Sequence, residues 1–281
     1  MSWTSESAMV SGLPQDATYD NPKPTVYDDA GTLKMIIGVY SGNFYGYYWD
    51  GSDWILDASI INGLSSVPGT SSPTIFNDSG VWKLISGSYG TDCYGYYWDG
   101  VSAWISDATI VTGLPTTGHP LSTPFVYNDS GTFKLILGDT FGRFTGYYWG
   151  TNTWIEDSSI VNGLVEVGGA SIVCVYDDGG TWELIVGEST TETHGYYWDG
   201  STWVKDNTIN YGIVLTANQG WFSPTVFTIG ADLKLIGGND AEGTDDVFLG
   251  YTKSSIEPSF SSDSDLGATR KAFWLNRIKE R

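Results

Sequence analysis

The chain has 281 residues, a net charge of minus 20, 41% hydrophobic and 15% aromatic residues, two cysteines and two histidines. A surface this acidic repels phosphate backbones and anionic lipids, which argues against nucleic acid as a partner. There is no run of about 18 apolar residues, so no membrane span is predicted.

The start, Met1-Ser2-Trp3-Thr4-Ser5, lacks the basic and apolar stretches of a signal peptide. It begins instead a phrase in which Trp is followed nine residues later by Gly and an aliphatic residue: Trp3, Gly12 and Leu13. The same phrase returns at Trp54/Gly63, Trp104/Gly113, Trp154/Gly163 and Trp203/Gly212. Two further landmarks share its period of about 50 residues. Gly-Tyr-Tyr-Trp stands at Gly46, Gly95, Gly146 and Gly195, with a worn copy at Gly250-Tyr251; strand entries stand at Pro24, Pro73, Pro124, Ile172 and Pro224.

Within the first unit, Thr25 to Tyr27, Leu33 to Tyr40, Phe44 to Trp49 and Trp54 to Ile61 read as four strands joined by tight turns, with Asp50-Gly51 the strongest hairpin signal. Five such units predict an all-β, five-bladed propeller of four-stranded antiparallel blades over residues 1–253. No Trp phrase follows Tyr251, so the N-terminal segment, residues 3–13, is expected to complete the fifth blade and close the ring. Three aromatics in a row, Tyr47-Tyr48-Trp49, suit a sheet buried on both faces. Cys93 and Cys174 fall in the second and fourth units, which do not touch in a five-membered ring, so no disulfide is expected.

The turn after each first strand is rich in acids and glycine: Asp28-Asp29-Ala30-Gly31, Asn77-Asp78-Ser79-Gly80, Asn128-Asp129-Ser130-Gly131 and Asp177-Asp178-Gly179-Gly180. It precedes strands ending Ile36-Ile37-Gly38, Ile136-Leu137-Gly138 and Ile185-Val186-Gly187. Over about residues 22 to 251 the chain therefore resembles FG-GAP/VCBS-type propeller repeats. The resemblance implies calcium in such turns, but here the acids are adjacent and not alternate, and Asx turn formation accounts for them equally well. No cofactor and no metal site is therefore expected. His119 and His194 lie in different units, without metal-ligand spacing.

Function is expected where the second-to-third strand loops and the inter-blade loops gather. Tyr40, Asn43, Tyr89, Asp92, Phe141, Arg143, Glu192, His119 and Trp221 offer the aromatic faces and planar polar groups of a sugar site. The innermost strands, such as Thr25-Val26-Tyr27 and Val173-Cys174-Val175, carry no acid, which argues against catalysis. The resemblance implies a lectin, and the expected function is non-enzymatic recognition of a glycan or glycoprotein surface. The alternative is a structural or host-attachment part of a virion or extracellular assembly, and the expected location is extracellular or on a virion surface.

Residues 254–281 break the pattern. Five basic residues against Glu280 leave the last twelve at plus 4, so the other 269 carry minus 24 of the total. A Ser/Asp-rich linker leads to a short helical pattern in which Phe273, Trp274, Arg277 and Ile278 are expected to hold an assembly partner.

Overall fold

The computed structural model describes residues 2–15, 19–89, 92–116, 123–188, 192–215, 219–241 and 247–254. The first blade is β2 (Lys23–Asp29), β3 (Thr32–Gly38), β4 (Phe44–Trp49) and β5 (Trp54–Leu56). The second is β6 (Ser72–Asp78), β7 (Val81–Gly87), β8 (Cys93–Trp98) and β9 (Trp104–Ser106). β10 (Thr123–Asp129), β11 (Thr132–Gly138), β12 (Phe144–Trp149) and β13 (Trp154–Glu156) form the third; β14 (Ile172–Asp177), β15 (Trp182–Gly187), β16 (Thr193–Trp198) and β17 (Trp203–Lys205) form the fourth. The fifth is β18 (Gln219–Ile229), β19 (Asp232–Ala241) and β20 (Phe248–Ser254), with β1 (Ser2–Ser5) as its outer strand. Every pairing is antiparallel, and β1 meets β20 with Trp3 opposite Lys253, the register of Trp54 opposite Trp49. The first strands of successive blades touch around a closed circuit, β2 to β6, β10, β14, β18 and back to β2. The ring and its N-terminal closure are thus as the repeats imply.

The predicted outer strands are longer than the observed ones. Instead of Trp54 to Ile61, the strand stops at Leu56 and a 3-10 turn runs Ala58–Ile61. Likewise, of residues 3–13, only the start is strand, followed by a 3-10 turn at Ser7–Val10. The Asp57 carboxylate accepts from Ser59 N at 2.9 Å and so ends the strand as a cap. Gly46 makes room for the 3-10 turn, because a Cβ there would lie 2.7 Å from that of Ile60.

The core is five interfaces. Along β3, Ile36 packs with blade 2 residues Leu84 and Trp104, whereas Met35 and Ile37 pack with blade 5 residues Ile236 and Phe248. The strand period of two sends alternate side chains to opposite neighbours. Tyr47 and Tyr48 divide in the same way. The two thiols are free, and burial pushes both up to about 12, so neither is a poised nucleophile.

At the outer rim each Trp of the repeated phrase donates its indole N–H to the preceding blade: Trp3 to Ile209 O, Trp54 to Met9 O, Trp104 to Ile60 O, Trp154 to Ile110 O and Trp203 to Ile160 O, at 2.8 to 3.1 Å. The Gly nine residues on explains itself here. Gly63, at φ 86°, lies so close to the Trp104 carbonyl of the next blade that no Cβ fits.

The acidic turns are spoken for. Asp28 and Asp177 accept from Gly31 N and Gly180 N at 2.6 Å, and Asn77 and Asn128 do the same for Gly80 and Gly131. Asp29, Asp78 and Asp129 pair with Lys34, Lys83 and Lys134, each at 2.6 Å. In blade 4 the Lys position becomes Glu183. Lys253, standing in blade 5 where the other blades have Trp, reaches it at 2.5 Å, with Asp178 at 3.1 Å; Lys253 and Glu183 are 4% exposed. Between blades 2 and 3 the same two positions hold Lys83, whose ammonium lies 5.2 Å from the Trp149 ring centre. Glu183 with Lys253 is therefore a paired exchange that distinguishes one blade interface from another.

These contacts carry two testable outcomes. Lys253→Met leaves a buried carboxylate without its ammonium and is expected to cost about 3–5 kcal/mol in urea unfolding. The double change Glu183→Lys with Lys253→Trp, which copies the blade 2 to 3 pairing, should recover most of that; a double variant as unstable as the single would contradict the exchange. Second, hydrogen bonds from Lys34 and Lys134 hold Asp29 and Asp129 below the ordinary 3.8. A lowered carboxylate stabilises above its unfolded pKa and loses that contribution as pH falls through the folded one. Melting temperature should hold from pH 7 to 5 and fall below about pH 4, less steeply in an Asp29→Asn, Asp129→Asn variant. A melting temperature unchanged down to pH 2 would contradict this.

Candidate functional site

The loop after β3 and the chain entering blade 2 are sewn together. Val67 N donates to Gly42 O, Ser71 N to Val39 O, and the Ser71 hydroxyl bonds Val39 N and Asn43 O. Blade 3 repeats this with Val167 on Gly142 and Ser171 on Asp139 and Arg143. The two loop types thus share one face, built on a rigid frame.

On that face the residue following the glycine of each second strand is buried: Val39, Ser88, Asp139, Glu188 and Asn239. Two of the five are acids, in adjacent blades. Asp139 Oδ1 accepts from Phe141 N at 2.9 Å and Arg143 N at 3.0 Å, and Oδ2 accepts from Arg143 Nε at 2.8 Å and Nη2 at 2.5 Å. Its four lone-pair directions are filled, so it serves as an anchor for the half-exposed Arg143 guanidinium, which lies 4.9 Å from the exposed Phe141 ring.

Blade 4 uses the same positions differently. Glu188 Oε2 accepts from Gly168 N at 2.7 Å, and Oε1 lies 3.4 Å from His194 Nε2. Glu192, at the position of Arg143, is exposed, and one ligand atom from each of Glu188, Glu192 and His194 fits within 4.8 Å of the others. Among the described residues this is the one such group with metal-ligating geometry, and its oxygen and imidazole donors suit a divalent transition metal.

Of the residues expected from sequence, Tyr40, Tyr89 and Phe141 are more than half exposed, and Asn43, Asp92 and Glu192 are exposed. Trp221 is partly buried at φ 61°, its ring centre 5.9 Å from the ammonium of Lys23. Of these expected residues, Phe141 and Arg143 are brought into contact. His119 and the tail residues Phe273, Trp274, Arg277 and Ile278 lie outside the described residues. Sequence reasoning searched the innermost strands for acids and so missed Asp139 and Glu188, at the ends of second strands. The signal was present in the column after each hydrophobic-hydrophobic-Gly triplet, the column in which the units differ.

No family model and no curated protein matches the chain. Solved structures match by fold. The Bacteroides ovatus xyloglucan-locus GH43B superposes with a TM-score of 0.60 at 12% identity, over 92% of this chain and 55% of that one, so the chain spans about half its length. The Coprinopsis cinerea GH62 α-L-arabinofuranosidase catalytic domain gives 0.57 at 13% identity, over 90% and 97%. The Cellvibrio cellulosa α-L-arabinanase gives 0.56 at 12% identity, over 83% and 90%. These likenesses establish the five-bladed fold. They correct the FG-GAP expectation, because the neighbours are glycoside-hydrolase propellers. They also overturn the expectation of a non-enzymatic lectin-like or virion-attachment ring, since the Coprinopsis and Cellvibrio neighbours are named as an arabinofuranosidase and an arabinanase.

Proposed function

We propose that this chain is a carbohydrate-active enzyme that cleaves glycosidic bonds at the loop face of blades 3 and 4. The observation that carries the reading is the pair Glu188 and Glu192: two carboxylates in unlike surroundings, one buried and one exposed, within reach of a single bond. Glycoside hydrolysis needs one carboxyl group to protonate the leaving oxygen and a second to act on the anomeric carbon or its attacking water. Glu188, held by Gly168 N and facing His194, is assigned to the leaving oxygen. Glu192, open to solvent, is assigned to the second role. Arg143, fixed by Asp139, points a planar donor fork toward sugar hydroxyls, and Phe141, Tyr89 and Tyr40 offer ring faces for stacking. The names of the fold neighbours support arabinose- and xylose-containing glycans as the first substrates to try.

The test is release of reducing sugar from arabinan, xylan and arabinoxylan, with aryl arabinofuranosides and xylosides alongside. Glu188→Gln and Glu192→Gln should each lower kcat/KM on the order of 10²- to 10⁴-fold, with melting temperature unchanged. Arg143→Ala should raise KM more than it lowers kcat. No release by the wild type, or full rates in both Gln variants, would overturn the assignment.

A further inference from the structure

At the end of the blades opposite the loop face, a cleft of about 440 Å³ opens between blades 1 and 2. That lies within the roughly 300–1,000 Å³ of small-ligand sites. It is lined by Tyr27, Asp29 and Lys34 from blade 1 and by Trp82 and Trp98 from blade 2, with Asn62 at its edge. Trp82 stands edge-on to Tyr27, ring centres 5.0 Å apart, and gives its indole N–H to Asp29 at 3.2 Å. Asn62 is held by a bond to Ser102 O at 2.7 Å.

Blades 3 and 4 repeat the set residue for residue. Tyr127 stands edge-on to Trp182 at 5.3 Å, Trp182 bonds Asp129 at 3.3 Å, Asp129 pairs with Lys134 at 2.6 Å, and Asn162 bonds Ser201 O at 3.1 Å. The other interfaces depart from it. Between blades 2 and 3 the pair is Phe76 with Phe133, and Lys83 lies over Trp149; between blades 4 and 5, Lys253 stands in place of the Trp.

We propose that the cleft between blades 1 and 2 and the matching residue set between blades 3 and 4 are two saccharide-binding subsites, separate from the loop face. Each takes one neutral sugar unit of a longer glycan. The chemistry matches on three counts. Indole and phenol faces stack on a sugar ring, and the carboxylate, ammonium and amide are planar or compact partners for its hydroxyls. Asp29 and Lys34 neutralise one another, and the remaining charge of the lining is the Asp57 carboxylate, so nothing in the cleft attracts an anionic ligand. The acidity of the chain, minus 20 in all, disfavours anionic glycans further. Two weak sites on one rigid ring would hold a polymer by avidity while the loop face acts on it. The binding itself does not depend on that activity.

Calorimetric titration with xylotriose, cellotriose and arabinohexaose, followed also by tryptophan fluorescence, tests this. At least one should bind with two cleft equivalents per chain, and Trp98→Ala with Trp198→Ala should remove both. Hydrolysis of a small aryl glycoside, if present, should stay within twofold in that variant, while retention on insoluble polysaccharide falls at least tenfold. Val101→Arg, at an exposed position on the rim of the first cleft, leaves the Trp packing untouched and should remove one equivalent. An unchanged stoichiometry in these variants, or no oligosaccharide bound by the wild type, would overturn the proposal. Binding intact with no hydrolysis would sustain it and remove only the loop-face reading.

Discussion

The structure depends on a clasp at the outer rim, where the Trp of one blade gives its indole N–H to a carbonyl of the blade before it and a glycine leaves space for the Trp backbone. The clasp occurs five times, and two of its members, Trp3 and the Met9 carbonyl, come from the N-terminal segment. Closure is therefore made of the same bonds as every other interface, and it joins to them the backbone ladder of β1 on β20. Because each blade buries its faces only against its neighbours, an opening at one joint would expose two apolar faces at once. That is the physical reason for displacing one strand to the far end of the sequence.

A frame held by identical contacts leaves the ends of the blades free to differ. On the loop face, blade 3 puts Asp139 and Arg143 at the positions where blade 4 puts Glu188 and Glu192, so the same geometry presents a cationic fork beside a carboxylate pair. At the opposite end, the Tyr, Trp and Asn set recurs between blades 1 and 2 and between blades 3 and 4, and is replaced by the Phe76 and Phe133 pair or by Lys253 at two others. Structural repetition and chemical difference are thus separated by position within the blade.

That separation also explains what could be read from the residues. The number of blades, their four-strand plan and the closure by residues near Trp3 were legible, because tight turns, strand periodicity and the Trp-to-Gly spacing are local and occur five times. The end of each outer strand was not, because Asp57 acts as a cap only where Gly46 admits Ile60, a contact between elements. The acids at Asp139 and Glu188 escape a reading that looks for catalytic acids on the innermost strands alone. Similar frames are compatible with unlike sites when single columns vary. The burial of Glu188 and its approach to His194 and Glu192 rest on contacts between separate segments, Gly168 N among them, which spacing does not encode.

The function proposed for the blade 3 and 4 loop face is to handle a glycan through Arg143, Glu188 and Glu192. It is tested most directly by a crystal structure of the Glu188→Gln protein with arabinohexaose or a xylo-oligosaccharide. The predicted result is a sugar chain running from Arg143 to Glu192, with a glycosidic oxygen within hydrogen-bonding reach of residue 188. A chain bound only elsewhere on the ring, with these three residues untouched, would contradict it.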